Sequence, residues 1–263
     1  MSTNAIILAA GSGSRLRPYT DDRPKSMVEL GGMTLLERQL ATLRAAGIQD
    51  VTLVVGYRAE AFDRLGLDTV VNPLWETTNM VETLFCAEDR LREDTVVAYA
   101  DIVYEPRVIG ALLASTHDAS VIVDRGWRAY WEMRSPNPLD DAETLRLAAD
   151  GSILEIGNKP TTLDEIEAQY IGLMRFQGNG VDTLKRTRAE LGSIRRPWMD
   201  RRPLEKAYMT DLLMEMVLRG RAPHAVPIDN GWLEIDTVSD YEKALAMLAD
   251  NRIATFYELF PPR

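Results

Sequence analysis

Apolar positions along this 263-residue chain fall into two textures, short unbroken runs and helical stripes. Ala5–Ala10 is an unbroken run, as are Val51–Val55, Thr69–Asn72, Thr95–Tyr99 and Ala119–Val123. Each reads as a strand buried on both faces. Helical patterns lie between them. Thr34–Ala46 sets Leu36, Leu40 and Leu43 on one face, opens with Thr34 and Glu37 at capping-box spacing, and stops at Gly47. Asn79 with Glu82 starts a second helix, expected to run through Leu91, and Arg107–Ser115 is a third. Buried strands alternating with helices predict an α/β fold, a mostly parallel sheet covered on both faces.

Beyond Val123 the texture changes. Trp127–Gly157 is interrupted and rich in charge, and is expected to form an inserted hairpin region beside a binding pocket. Tyr170–Phe176 returns as a strand, Arg195–Pro203 is an arginine- and proline-rich loop, and Tyr208–Leu218 carries Met209, Leu212, Leu213, Met216 and Val217 at helical spacing. Tyr241, Ala244, Leu245 and Leu248 define a last amphipathic helix. No repeat, low-complexity linker or boundary interrupts the chain. One domain over residues 1–263, with an embedded lobe around 125–160, is expected.

Composition narrows the class. Hydrophobic content of 46% with 27% charged residues is ordinary for a soluble globular protein. A formal net charge of −10 argues against a nucleic-acid-binding surface, though not against small anionic ligands, for which local charge decides. The one cysteine, Cys86, excludes an internal disulfide framework and fits a reducing compartment. No run reaches the about 20 apolar residues of a membrane span. The N-terminal run is too short for a signal peptide and lacks a basic leader. A cytoplasmic protein with neither membrane nor nucleic-acid partner is expected, and homo-oligomerisation is left open.

The most specific local signal is Gly11–Lys25, GSGSRLRPYTDDRPK, directly after the first strand. Gly11 and Gly13 free the backbone to turn its N–H groups toward an anion, and Arg15, Arg17, Arg23 and Lys25 add positive charge. The string is not a Walker A loop, since no Gly-Lys-Ser/Thr closes it. Nor is it a dinucleotide fingerprint, because Leu16 stands where the third glycine would be. It reads as a triphosphate cradle in which Lys25 and Arg15 reach the phosphates, while Arg17 and Arg23 read as surface residues. Asp101 and Asp236 each follow an apolar strand-like stretch, which suits either a Mg²⁺ ligand at a strand end or a turn or cap residue. Glu234 would share a strand face with Asp236. Neither His117 nor His224 lies in a nucleophile motif.

The loop resembles the signature of the sugar-nucleotidyltransferase superfamily, enzymes that join an NTP to a phosphorylated small molecule and release pyrophosphate. Later segments are similar in the expected order: YAD at Tyr99–Asp101, NKP at Asn158–Pro160 and EID at Glu234–Asp236. WETTNMVETLF, AYWEMRSPNPLDDAETL, QYIGLM and AYMTDLL look closer to phosphocholine and phosphonate cytidylyltransferases than to the sugar enzymes. The resemblance implies a Rossmann-like mixed sheet of the nucleotide-diphospho-sugar transferase kind. It further implies Mg²⁺ on Asp101 and Asp236, with Glu234 as a third candidate, and CTP as nucleotide. Lys159 would contact the α-phosphate or the acceptor's phosphate. Backbone groups at Ala9, Ala10 and Gly11 would read the base, with Tyr99 and Ala100 beside the ribose. A silent nucleotide-binding regulator on the same fold would have no need of Lys25, Asp101, Lys159 and Asp236.

For the acceptor, Trp75, Asn79, Trp127, Tyr130 and Trp131 are candidate wall residues, flanked by Arg125, Arg128 and Arg134. Aromatics can box a quaternary ammonium, whereas guanidinium groups bind phosphonate and carboxylate oxygens. The arginines favour an acidic acceptor over choline. Glu132, Asp140 and Asp141 could instead hold an amine. Phosphonoformate, 2-aminoethylphosphonate and 2-hydroxyethylphosphonate are therefore the expected acceptors, ahead of phosphocholine, an amino-acid phosphate or a sugar 1-phosphate.

Overall fold

Strand β1 (Asn4–Ala9) is buried along its whole length because its two faces serve different cores. Ala5, Ile7 and Ala9 pack on one side with Leu36, Leu40 and Ile109, while Ile6 and Leu8 pack on the other with Val81, Val97 and Leu212. A strand with two apolar faces belongs at the centre of a sheet. The computed structural model describes residues 2–260. After β1 come α1 (Leu35–Ala45), β2 (Val51–Val55), β3 (Asp68–Val71), α2 (Met80–Cys86), β4 (Asp94–Tyr99), α3 (Pro106–Ala114) and β5 (Ala119–Asp124). The second half adds α4 (Trp127–Arg134), β6 (Gln169–Gln177), α5 (Asn179–Glu190), α6 (Met209–Leu218), β7 (His224–Ile228) and α7 (Val238–Ala249).

The seven strands lie in the order β7-β5-β6-β4-β1-β2-β3. Neighbours are parallel except at β6, which runs antiparallel to both β4 and β5. The mixed, mostly parallel sheet is thus the one expected. No helix among the described residues is long and apolar enough to cross a membrane.

Two segments differ from their sequence-based reading. α2 ends at Cys86 and gives way to a short 3₁₀ turn at Glu88–Arg90. Glu82 pairs with Arg188 of α5 rather than folding back on Asn79, so no capping box forms. Trp127–Gly157 opens as a helix, and only its end is a hairpin, Leu145–Leu147 against Ile153–Ile156. Trp127, Tyr130, Trp131 and Arg134 stand at helical spacing and are the buried residues of α4, so core packing prevails over a polar composition.

Two irregularities shape the C-terminal ends of the central strands. Just past β4, Ile102–Tyr104 pairs antiparallel with Trp232–Glu234, register Ile102 to Glu234. β6 carries a bulge, its register on β5 slipping between Tyr170 and Met174. Gly172 lies inside that bulge with φ +82°, and a Cβ there would stand 2.5 Å from the Tyr99 ring. Bulges re-aim side chains beside functional sites, and this one turns Gln169 and Tyr170 toward the same end of the sheet as Tyr99. Gly172→Ala combines a left-handed backbone with a ring clash and is expected to cost about 1–3 kcal/mol. Urea unfolding checks it, and a wild-type midpoint would show that the bulge does not need glycine.

Candidate active site

The chain leaves β1 through Ala10 and Gly11, turns left-handed at Gly13 (φ +61°) and enters a 3₁₀ turn at Ser14–Leu16 whose Leu16 is buried. The Thr20 hydroxyl donates to the Gly13 carbonyl at 2.8 Å and closes the loop. Lys25 starts the next turn, after Pro24. A Cβ on Gly13 would lie 3.0 Å from that of Lys25, so glycine lets loop and lysine lie side by side.

Lys25 is where three segments meet. Its Nζ donates to Asp101 Oδ2 at 2.7 Å and to Asp236 Oδ1 at 2.6 Å, while Arg15 Nη2 sits 2.8 Å from Asp236 Oδ2. The antiparallel ribbon brings the two aspartates together, helped by the Ile235 N–H donating to the Asp101 carbonyl at 2.9 Å. The cap of α7 is Thr237, which leaves Asp236 facing the cleft. Burial works against the charge on Lys25, and Asp101 and Asp236 outweigh it, holding its pKa above the ordinary lysine value.

The donor set fits a divalent cation. Asp101 Oδ1 is buried with no hydrogen-bond partner. No group of three or more His, Cys, Asp or Glu side chains among the described residues is arranged to hold a metal. Two carboxylates with a free oxygen suit Mg²⁺, which completes its shell with phosphate oxygens and water. Glu234 is placed differently from a third ligand, because its carboxylate is paired with Arg134 Nη1 at 2.7 Å.

Two chambers, each about 300 Å³, open from this centre. Ala9, Gly11, Gly13, Arg15, Lys25, Tyr99, Ala100, Asp101, Glu234 and Asp236 line the first. Asn79, expected near the acceptor, also lines the first, where it caps α2 by accepting from the Met80 N–H at 2.9 Å. Ala10 does not line it, its carbonyl being taken by the Tyr57 N–H at 3.0 Å. The second chamber shares Arg15, Met80, Tyr99 and Glu234 with the first and extends to Trp131, Asp141, Glu143, Gln169, Tyr170 and Thr210.

The arginine-lined acceptor site expected from the sequence does not form. Arg125 and Arg128 are exposed and line neither chamber, and Arg128 pairs with Glu132 along its own helix at 2.9 Å. Arg134 is buried and engaged, donating to both oxygens of Asp240 at 3.1 and 3.3 Å besides meeting Glu234. Tyr130 is a core residue whose hydroxyl bonds the Glu234 backbone. The helical period of α4 turns Trp131 inward and Arg128 outward. Lys159 is exposed and outside both chambers, and its ammonium holds the carbonyls of Leu139 and Asp140. His117 and His224 stack face to face at 3.5 Å, also away from the chambers. Sequence reading missed Glu143 and Gln169, although Asp140–Glu143 is an acidic run and Gln169 opens the QYIGLM segment.

Comparison with known proteins fixes the family. Residues 5–156 match the MobA-like NTP transferase domain. The chain belongs to that family. The CTP:phosphoglutamine cytidylyltransferase of Campylobacter jejuni is 38% identical over 251 residues, spanning 91% of this chain and 98% of that protein. The 2-aminoethylphosphonate cytidylyltransferase of Lancefieldella rimae is 34% identical over 38% of this chain and 44% of its own length. Among solved structures, the CTP:phosphocholine cytidylyltransferase of Streptococcus pneumoniae superposes with a TM-score of 0.70 at 21% identity, covering 94% of this chain and all (100%) of that one. This MobA-like chain is a nucleotidyltransferase on the nucleotide-diphospho-sugar transferase fold.

Within the second chamber, burial and the nearby Asp211 and Asp141 push the Glu143 carboxyl up to about 7, against the pull of Arg202 and Lys159. Its folded value lies above its unfolded one, so the fold binds the extra proton between the ordinary carboxylate range and neutrality. Stability contributed by that proton is lost as pH rises through the window. Glu143→Gln is therefore expected to gain melting temperature relative to wild type between about pH 5 and about pH 8. Calorimetric scans at the two pH values check it, and a pH-independent difference would contradict it.

Proposed function

We propose that this nucleotidyltransferase is a Mg²⁺-dependent cytidylyltransferase that joins CTP to a small phosphate or phosphonate and releases pyrophosphate. The observation that carries this reading is the Lys25–Asp101–Asp236–Arg15 centre in the wall of the first chamber, with Arg15 reaching the second. The named cytidylyltransferase relatives support CTP as the nucleotide.

In the proposed reaction a phosphate or phosphonate oxygen of the acceptor attacks the α-phosphorus of CTP, and the bond to the β-phosphate oxygen breaks. The acceptor oxygen is already anionic, so the chemistry depends on alignment and charge rather than on a strong base. Backbone groups at Ala9, Gly11 and Gly13 would hold the nucleotide, with Tyr99 and Ala100 beside the ribose. Lys25 and Arg15 neutralise the phosphates and the departing pyrophosphate. Mg²⁺, held on Asp101 and Asp236, would add charge neutralisation across the phosphates. The second chamber takes the acceptor, and the 125–160 lobe of a single domain supplies part of its wall through Trp131, Asp141 and Glu143.

Asp101→Asn and Asp236→Asn should each lower pyrophosphate release by about 100-fold or more, as loss of a preorganised electrostatic group does, with circular dichroism unchanged. EDTA should abolish turnover. Lys25→Ala should cost about 2–4 kcal/mol of transition-state stabilisation. The Arg15 side chain is 68% exposed, and its removal should be milder, about tenfold. Coupled pyrophosphate assays across CTP, UTP, GTP and ATP decide these points. Activity in EDTA, or a Lys25→Ala enzyme as fast as wild type, would overturn the reading.

A further inference from the structure

The second chamber holds a carboxylate that nothing in the fold answers. Glu143 lines it half-buried, and its side chain accepts no hydrogen bond and joins no ion pair among the described residues. Its backbone is clamped all the same. The Glu143 N–H donates to Gln169 Oε1 at 3.2 Å, and Gln169 Nε2 donates to the Glu143 carbonyl at 2.6 Å. Gln169 opens β6 just ahead of the bulge, so the sheet itself fixes where Glu143 stands.

The cations close enough to be felt there are committed elsewhere. Arg202 donates to both oxygens of Asp211 at 2.6 Å and lies 4.2 Å over the Tyr208 ring. Lys159 is held by the carbonyls of Leu139 and Asp140. Asp141, on the same wall, adds negative charge, and its nearest cation is Arg134 at 3.6 Å. A second polar group of the chamber is also unanswered. Trp131, only 4% exposed, buries its Nε1–H without a partner. An unpaired carboxylate facing the cavity, with an unpaired donor buried in its wall, describes a ligand that brings the complement of each.

Resting on the cytidylyltransferase reading above, we infer that the second chamber selects an acceptor whose tail carries a protonated amine. The ammonium donates to Glu143, with Asp141 reinforcing the charge, and Trp131 Nε1–H donates to an oxygen of the same acceptor. Glu143 is a specificity residue here, since it touches the tail and not the reacting phosphorus. A carboxylate-bearing tail would meet like charge in a half-desolvated cavity, and an uncharged tail would leave Glu143 unpaired. This reverses the preference for an anionic acceptor that Arg125, Arg128 and Arg134 suggested in the sequence.

The test is acceptor discrimination with CTP and Mg²⁺, read as pyrophosphate release. Three compounds differ only in the tail: 2-aminoethylphosphonate, its uncharged isostere 2-hydroxyethylphosphonate, and the anionic phosphonoacetate. Wild-type enzyme should favour the amine over the alcohol by about tenfold or more in kcat/KM, and turn over phosphonoacetate least. Glu143→Gln should remove most of that preference by raising KM for the amine while leaving KM for CTP unchanged. Circular dichroism matching wild type reports a folded protein. An alcohol used as well as the amine, a preference for phosphonoacetate, or an amine preference surviving in Glu143→Gln overturns the inference and leaves the cytidylyltransferase reading standing. No pyrophosphate from CTP with any of the three overturns both.

Discussion

Two carboxylates brought into one partly buried cleft must be neutralised, and the structure is arranged around that requirement. Asp101 and Asp236 both bond the ammonium of Lys25, and Arg15 takes the remaining oxygen of Asp236. A buried carboxylate without a partner is costly, so the four side chains lock together the loop after β1, the end of β4 and the strand before α7. Under the proposed reaction the same cations are the ones a triphosphate needs. In that proposal the free protein keeps the charges a phosphate would meet in place by giving them carboxylates to hold.

The second constraint is steric. β6 runs antiparallel between β4 and β5, and its bulge leaves room for the Tyr99 ring against Gly172. A regular strand would carry a side chain into that ring. Opening the sheet at this point lets Tyr99 form a wall of both chambers, and it sets Gln169 where it can clamp Glu143. Backbone irregularity in one strand thus reaches the second chamber through two hydrogen bonds.

Charge near a pocket is a poor guide to charge inside it. Arg125, Arg128 and Arg134 cluster in sequence with Trp131, which does line the cleft, yet two are exposed and one is buried in an ion-pair hub beneath Trp131. Trp127, Tyr130, Trp131 and Arg134 recur at helical spacing and share the buried face, while Arg128, one position past Trp127, falls outside that stripe and is a surface residue. The charged groups facing the chamber are Asp141 and Glu143, with Glu234 already spent on Arg134 and Arg15 on Asp236.

What the sequence determined by itself is what depends on neighbours in the chain. Unbroken apolar runs required strands buried on both faces, Thr34 with Glu37 made the capping box of α1, and the glycines of Gly11–Lys25 permitted a loop that turns left-handed at Gly13. Those features placed Gly11, Gly13, Arg15, Lys25, Asp101, Glu234 and Asp236 of the first chamber, while Ala9, Tyr99 and Ala100 came from the family resemblance. Tertiary structure decided what depends on partners distant in the chain. Whether Asp236 caps a helix or faces a cleft turned on Thr237 and on pairing with Ile102–Tyr104. Whether Lys159 reaches a ligand turned on carbonyls at Leu139 and Asp140, and whether Glu143 is paired turned on where Arg202 was already bound. Periodicity tells which face of an element is buried, but a polar side chain's role is set by which opposite charge arrives beside it, and only the fold brings those charges together.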